Sequence, residues 1–197
     1  MRNNRTTVRS LVANEGTCRA MSDGMILWEN KNIRKKINLG ATATVLLGIK
    51  EDNRTLSKIY VGDRKGQLHA LQLPNFAKLW TTTISNEALR ALCSDENECL
   101  MIGDAKGRVW SVDGEQNSTL VFETNRSISS IRLDGKVIRI QSGWEQCLYN
   151  RNGELTHSKD ASNSFGENQM LRRIRERKAF EAQRREAESQ FRLLPFA

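Results

Sequence analysis

Hydrophobic and polar residues alternate in short runs along most of the chain. The stretch 108–113, Arg-Val-Trp-Ser-Val-Asp, places its apolar residues at every second position. This is the period of a half-buried β-strand, whereas a helix would repeat every three to four residues. Asn, Asp and Gly residues, which favour tight turns, separate the runs. The pattern therefore predicts an all-β fold up to about residue 160.

The runs repeat as a larger unit. The phrase VGDRKGQLHALQ at 61–72 returns as IGDAKGRVWSVD at 102–113, with Gly, Asp, Lys and Gly at the same four places. The glycines that open each alternation, Gly24, Gly66 and Gly107, are 42 and 41 residues apart, and a degenerate copy follows at 142–150. Further apolar runs flank each of them, so each unit predicts four strands. Four strands in about 40–45 residues is typical of one blade of a β-propeller.

The repeated residues also resemble known repeats. GDRKGQLHALQ, followed by Leu79 and Trp80, resembles a quinoprotein-type repeat, and LRALCSDENECLMIGDAKGRVWSVD resembles a WD40-type repeat. The resemblance to this WD40-like and quinoprotein-like superfamily covers about residues 6–160, within a propeller domain that we predict for residues 1–160. It implies a β-propeller of about four four-stranded blades, near 6–40, 41–86, 87–125 and 126–160. The chain departs from the WD40 pattern because no Gly-His opens a blade and the Trp-Asp ending occurs only as Trp28-Glu29 and Val112-Asp113.

Four blades raise the question of how the two terminal blades are covered. Each blade buries one sheet face against the next, so the outermost faces also need a cover. One arrangement is a closed small ring of four blades. The other is an open half ring whose ends are covered by another protein or by a second copy of the chain. We expect such a partner.

The composition changes after residue 160. Residues 161–168, ASNSFGEN, predict a linker, and residues 169–194 contain no Gly or Pro and many good helix formers. They predict a charged, amphipathic C-terminal α-helix that ends before Pro195. We expect this helix either to dock on a partner or to lie across an exposed end blade. In the docking case its apolar anchors are Phe180, Phe191 and Leu194.

The net charge of +8 is concentrated at the two ends of the chain. Residues 1–40 carry eight Lys or Arg against three acidic residues, and residues 161–197 carry eight against five. The guanidinium group is suited to phosphates and carboxylates, although a solvated helix face is the plainer interpretation. The candidate partner-binding residues are therefore these anchors and two basic clusters: Arg34, Lys35 and Lys36, and Arg172, Arg173, Arg175, Arg177 and Lys178.

No residue pattern points to catalysis. The two histidines lie apart, the four cysteines lack CxxC spacing, and no glycine-rich nucleotide loop occurs. We therefore expect no enzyme activity, cofactor or metal. The leading interpretation is a non-enzymatic protein–protein interaction scaffold with a basic C-terminal helix for docking. The alternative is nucleic-acid or ribonucleoprotein binding through the basic N-terminal cluster and the Arg-rich helix.

The same sequence bears on location. No apolar run reaches the length of a membrane span, and the N-terminus lacks the apolar stretch of a secretory signal. The scattered cysteines indicate free thiols in a reducing compartment. The prediction is a cytoplasmic protein without a membrane partner, with the nucleus left open.

Overall fold

The computed structural model describes residues 6–13, 15–51, 55–95, 98–143 and 145–160. Within these residues, sixteen strands form four antiparallel sheets, and each sheet is built from four consecutive strands. The predicted all-β fold with four four-stranded units is confirmed. The predicted linker 161–168 and helix 169–194 lie outside the described residues.

We number the sheets as blades 1 to 4. Blade 1 contains β1 Thr7–Ala13, β2 Gly16–Met21, β3 Met25–Glu29 and β4 Arg34–Asn38. Blade 2 contains β5 Ala43–Glu51, β6 Thr55–Asp63, β7 Gln67–Gln72 and β8 Ala77–Thr83. Blade 3 contains β9 Leu89–Ser94, β10 Leu100–Asp104, β11 Arg108–Val112 and β12 Ser118–Glu123. Blade 4 contains β13 Ser130–Asp134, β14 Val137–Ser142, β15 Glu145–Asn150 and β16 Leu155–Asp160.

The repeated Gly residues form the turn between the second and third strands of blades 1 to 3. Gly24, Gly66 and Gly107 have φ angles of 83°, 79° and 95°, a region that side chains with a Cβ disfavour. In blades 2 and 3 the glycine N–H donates to the carbonyl of Asp63 or Asp104, at 3.3 Å in both turns. The repeated GDxKG phrase is therefore the same turn in neighbouring blades.

Apolar side chains fill the spaces between consecutive blades. One cluster lies between blades 1 and 2 and includes Ile26, Trp28 and Ile59; a second lies between blades 2 and 3 and includes Tyr60 and Leu68. A third joins blades 3 and 4 and includes Met101, Val109, Ile138 and Ile140. Adjacent residues such as Ile59 and Tyr60 thus belong to different clusters, because successive side chains of a strand point to opposite faces. Both faces of the two middle blades are covered in this way.

The first strand of each blade lies at one edge of its sheet, and these four strands are in contact in chain order. β1 packs against β5, β5 against β9, and β9 against β13. Among the described residues, no comparable packing joins β13 back to β1. The described strands therefore contain three blade-to-blade interfaces for four blades.

Candidate interaction surfaces

The face of blade 1 that points away from blade 2, here called the blade 1 end face, carries an ion-pair network. Glu29 on β3 contacts the guanidinium of Arg19 on β2 at 3.2 Å and that of Arg34 on β4 at 3.0 Å. Lys36 lies on the same face, because it is paired with Leu27, which is itself paired with Arg19. On β1, Val12 is 76% exposed. This face is therefore charged, with one large exposed apolar side chain.

The repeat shows how unusual these charges are. Five residues before the turn glycine, blade 1 has Arg19, where blades 2 and 3 have the buried Val61 and Ile102. Five residues after the glycine, blade 1 has Glu29, where the middle blades have buried Leu71 and Val112. Charged residues thus replace core residues on the side of blade 1 that has no neighbouring blade among the described residues.

The outward face of blade 4, the blade 4 end face, shows the same replacement. Arg139 on β14 forms an ion pair with Asp134 at 2.7 Å and is paired across the sheet with Arg132. It alternates with Ile138 and Ile140, which pack toward blade 3. Leu155 on β16 is 55% exposed. Two arginines lie opposite each other here, and the carboxylate of Asp134 contacts Arg139, so this face is also basic.

The predicted basic cluster of Arg34, Lys35 and Lys36 lies on β4, the outermost strand of blade 1, and all three residues are exposed. Arg34 and Lys36 belong to the blade 1 end face. Lys35 lies on the opposite side of β4, because it is paired with the buried Trp28. The other predicted binding residues, at 172–194, lie outside the described residues.

A cavity of about 310 Å³ lies among the first strands of the four blades. Its polar lining residues are Arg9 and Ser10 of β1, Arg90 of β9, and Ser129 and Ser130 at the start of β13. The rest of the lining that the structure describes is Val, Leu, Ile and Ala, and none of these described residues is acidic. We call this feature the central cavity.

Buried carboxylates hold the turns at one edge of blades 2 and 3. Asp104 accepts hydrogen bonds from the N–H groups of Lys106 at 2.9 Å and Arg108 at 3.0 Å through Oδ1. Its Oδ2 accepts from Ser85 Oγ at 2.8 Å and from Arg108 Nε at 2.7 Å. Ser85 lies in the loop between β8 and β9. The Asp104 carboxylate therefore joins the loop that connects blades 2 and 3 to the turn of blade 3.

Hydrogen bonding keeps the carboxylates of Asp63 and Asp104 ionised. Burial alone raises the pKa of Asp104, but the Arg108 N–H, the Ser85 hydroxyl and the Arg108 guanidinium together outweigh burial and lower it below its usual value. The pKa of Asp63 is also lowered, because hydrogen bonds from His69, Gln67 and Lys65 overcome the opposing effect of burial.

The remaining residues with chemical potential have structural environments. His69 is buried between Asp63 Oδ2 at 3.2 Å and Thr81 Oγ1 at 3.0 Å. Cys18 and Cys93 are free thiols whose pKa values burial raises to about 12. Within the described residues, no group of three or more His, Cys, Asp or Glu could hold a metal ion. Nor does this part of the chain contain a helix with the length and hydropathy of a membrane span.

Comparison with known proteins gives a result at the level of structure alone. No protein-family model matches the sequence, and no curated protein matches it significantly. Sqt1 from Saccharomyces cerevisiae matches with a TM-score of 0.68 and 15% identity, over 77% of this chain and 48% of Sqt1. A chain of the mitotic checkpoint complex matches with a TM-score of 0.69 and 12% identity, over 82% of this chain and 55% of that chain.

These two natural neighbours are WD40 propeller proteins. The fold is a WD40-like β-propeller. The chain spans about half the length of both natural neighbours. It covers 92% of a computationally designed protein, Ika4, with a TM-score of 0.63 and 12% identity over 75% of this chain. At these identities the comparisons establish the fold, and function has to be argued from the surfaces.

The sequence pattern indicated the basic residues of β4 but not three other features, two on the surface and one buried. The charged replacements at Arg19 and Glu29 were visible in principle, because aligning the units on their glycines places them at core positions. No sequence motif marks Ser85 as the hydrogen-bond partner of Asp104. Arg9 and Arg90 could not be grouped before the four first strands were known to surround one cavity.

Proposed function

We propose that this chain is a protein-interaction module built on an open half ring of propeller blades. Apolar clusters fill the three interfaces between consecutive blades, while the two end faces remain uncovered among the described residues. The observation that carries the proposal is the exposure of Val12 and Leu155, one on each terminal blade. The same end faces also carry the ion pairs of Glu29 and Asp134. Interfaces commonly combine such an apolar contact with a polar rim.

The charges of the end faces favour another protein over a second copy. The blade 1 end face holds Arg19, Arg34 and Lys36 against Glu29. The blade 4 end face holds Arg132 and Arg139 against Asp134. Pairing blade 1 of one copy with blade 4 of another would bring two basic surfaces together, and juxtaposed like charges oppose association. The best-fitting partner therefore presents acidic faces. The matched parts of Sqt1 and of the mitotic checkpoint chain, likewise, are portions of longer chains.

Charge reversal on the two end faces should separate this role from general surface charge. We expect Lys36→Glu combined with Arg132→Glu to weaken capture of protein partners from a cell extract by about tenfold, since each change replaces attraction with repulsion. Lys65→Glu combined with Lys78→Glu is the matched control, because both lysines are exposed and lie on the turn and outer strand of blade 2. Quantitative mass spectrometry of proteins bound to the immobilised full chain provides the measurement.

Sedimentation of the purified chain decides between the two kinds of partner. A monomer near 22.4 kDa is expected if the end faces await a different protein. A dimer that Lys36→Glu with Arg132→Glu dissociates would assign the end faces to a second copy instead. Partner capture that is equal for the end-face variant and the control variant would exclude the end faces as the docking surface.

Nucleic-acid binding is a second candidate, favoured by the row of exposed cations Arg34, Lys35 and Lys36 on β4. If this role is correct, log affinity for a short RNA should fall linearly with log salt, because phosphate contacts release counterions. Replacing the arginines at 172, 173, 175 and 177 with Gln should reduce that slope, as measured by fluorescence anisotropy of labelled RNA. Binding that does not change between about 50 and 200 mM salt would reject this candidate.

A further inference from the structure

The central cavity combines two arginines with three serines, and none of its described lining residues is a carboxylate. Arg9 and Arg90 approach it from β1 and β9, and Ser10, Ser129 and Ser130 contribute hydroxyls from β1 and the start of β13. A pair of guanidinium groups in a recess without a negative charge attracts an oxyanion, because arginine donates charge-assisted hydrogen bonds to phosphate and carboxylate oxygens.

Arg90 has no structural partner within the described residues. Ala91 is paired with Gly103 and Leu89 with Asp104, so Arg90 is the extra residue of a β-bulge between them. A bulge of this kind re-aims its side chain and is common next to binding sites. The carboxylates nearby are already engaged: Asp104 bonds to Arg108 and Ser85. Arg90 is thus an exposed cation on a strand that is otherwise mostly buried.

The corresponding bulge in blade 2 shows what a structural residue does at this position. There the extra residue is Thr44, since Ala43 is paired with Asp63 and Val45 with Gly62. The Thr44 hydroxyl donates to the carbonyl of Gly62 and also contacts that of Leu89 in blade 3, which fastens the two blades together. Arg90 occupies the equivalent position in blade 3 without such a bond. Its side chain is therefore available for a ligand.

Arg9 is held in position across the cavity. Its Nε donates to the carbonyl of Thr44 at 2.9 Å, and Nη1 lies 3.4 Å from the carbonyl of Val8. Among the described residues, Nη2 has no hydrogen-bond acceptor. A guanidinium fixed by one nitrogen loses little side-chain entropy when another nitrogen binds an anion.

The rest of the cavity suits an extended polypeptide. Val45, Leu92 and Ile131 supply apolar surface beside the arginines. The strands that line the cavity are sheet edges, and an edge strand presents unpaired N–H and C=O groups to an added chain. No aromatic residue among the described residues lines the cavity, so this part of the chain supplies no stacking platform of the kind typical of single-stranded nucleic-acid sites. A volume of about 310 Å³ fits one anionic side chain with an apolar neighbour.

We propose that the central cavity binds an extended segment of another protein that carries a phosphate or carboxylate group. The oxyanion binds Arg90 and Arg9, and an apolar residue of the segment contacts Leu92 and Ile131. Ser10 and Ser130 lie toward the end faces, because Ser10 is paired with Arg19 and Ser130 lies two residues before Arg132 on β13. Arg9 is paired with the buried Ala20 and Arg90 lies on a middle blade, so the test of Arg90 below is independent of the end-face variants.

Peptide titrations followed by NMR of the isotope-labelled full chain test the proposal. The probes are acetyl-Ala-Leu-phosphoserine-Val-Ala-amide, its twins with Glu or Ser at the central position, and a uridine oligonucleotide. We expect the amide signals of Ser10, Arg90 and Ser130 to shift, and at least one anionic peptide to bind about tenfold or more tightly than the Ser twin. The phosphoserine and Glu probes then distinguish the two sources of the oxyanion.

Arg90→Gln should lower the affinity of the anionic peptide about tenfold or more, because it removes a charge-assisted contact. Arg64→Gln is the matched control, since Arg64 is an exposed arginine in the β6–β7 turn outside the cavity. An unchanged melting temperature for Arg90→Gln shows that the fold is intact. Three results would overturn the proposal: equal binding of the Ser twin, equal losses for the Arg90 and Arg64 variants, or cavity shifts caused by the oligonucleotide alone.

Discussion

Replacing Gly107 with alanine should cost this propeller about 2–5 kcal/mol of unfolding free energy, the sum of a conformational penalty and a steric one. For a folded unit of this size, such a loss lowers the melting temperature by about 5–20 °C. Thermal unfolding followed by circular dichroism measures it directly. The same turn recurs around Gly66, so Gly66→Ala should behave similarly.

The size of the effect follows from what surrounds the turn. Gly107 has a φ angle of 95°, and a Cβ added there would lie 2.5 Å from the carbonyl oxygens of both Thr124 and Arg126. These carbonyls belong to the backbone that leads from blade 3 to blade 4. That backbone is held by the Thr124 N–H, which donates to the carbonyl of Gly107 at 2.8 Å, and by the Thr124 hydroxyl, which donates to the carbonyl of Arg126 at 2.8 Å. Because the two nearest atoms belong to the backbone, a rotation of the Thr124 side chain cannot relieve the clash, and the backbone itself must shift.

Gly40→Ala separates the two components of this cost. Gly40 has a φ angle of 75°, but no atom lies within 4 Å of a Cβ built there. It should therefore lose only the conformational component, about 1–2 kcal/mol. Gly114→Ala, which has neither a positive φ nor a neighbour within 4 Å, should be close to neutral. If Gly107→Ala destabilises no more than Gly40→Ala, the close approach of the backbone does not explain the recurring glycine.

The recurrence of this glycine is also why much of the fold could be predicted. Alternation of apolar residues and turn chemistry are local properties, and they are written in stretches such as 102–113. Each blade is made of four consecutive strands, so the repeat in sequence is also the repeat in space. The helix predicted for 169–194, with its candidate residues from Arg172 to Leu194, remains a prediction.

The binding surfaces depend on relations that local patterns do not contain. Arg90 points to the central cavity because of a bulge opposite Gly103 and Asp104, and a bulge shifts the alternation on which strand prediction relies. Arg9 and Arg90 line the same cavity only because four edge strands, far apart in sequence, surround it. Arg19 and Glu29 could have been recognised from the sequence, because they are charged at positions where the two middle blades have apolar residues.

Asp104→Asn should destabilise the protein by about 2–4 kcal/mol at neutral pH, because it breaks a buried, charge-assisted network while leaving the turn bonds of one oxygen in place. Asp104 is fully buried. Its Oδ2 accepts from Arg108 Nε and Ser85 Oγ, whereas an amide nitrogen at that position would confront the Arg108 donor. Urea unfolding at pH 7 measures the difference.

Asp113→Asn is the matched control for this substitution. Asp113 makes the same turn contacts, accepting from the N–H groups of Glu115 at 3.0 Å and Asn117 at 2.9 Å. It is exposed, however, and its other oxygen contacts only the Asn117 amide, at 3.1 Å, among the described residues. Water can replace that contact, so the loss should be much smaller than for Asp104→Asn. Equal losses at the two sites would show that the turn, and not the buried network, is what Asp104 stabilises.

The pH dependence gives an independent check on the charge of Asp104. Because its pKa in the folded protein is lowered below the usual 3.8, the carboxylate contributes stability above that value and loses it as the pH falls through the folded pKa. The difference in unfolding free energy between the natural protein and Asp104→Asn should therefore be constant from pH 7 to about 5 and shrink below about pH 4. Urea titrations at several pH values measure it. A difference that stays constant into acid would mean that the ionised form of Asp104 is not what ties Ser85 and Arg108 together.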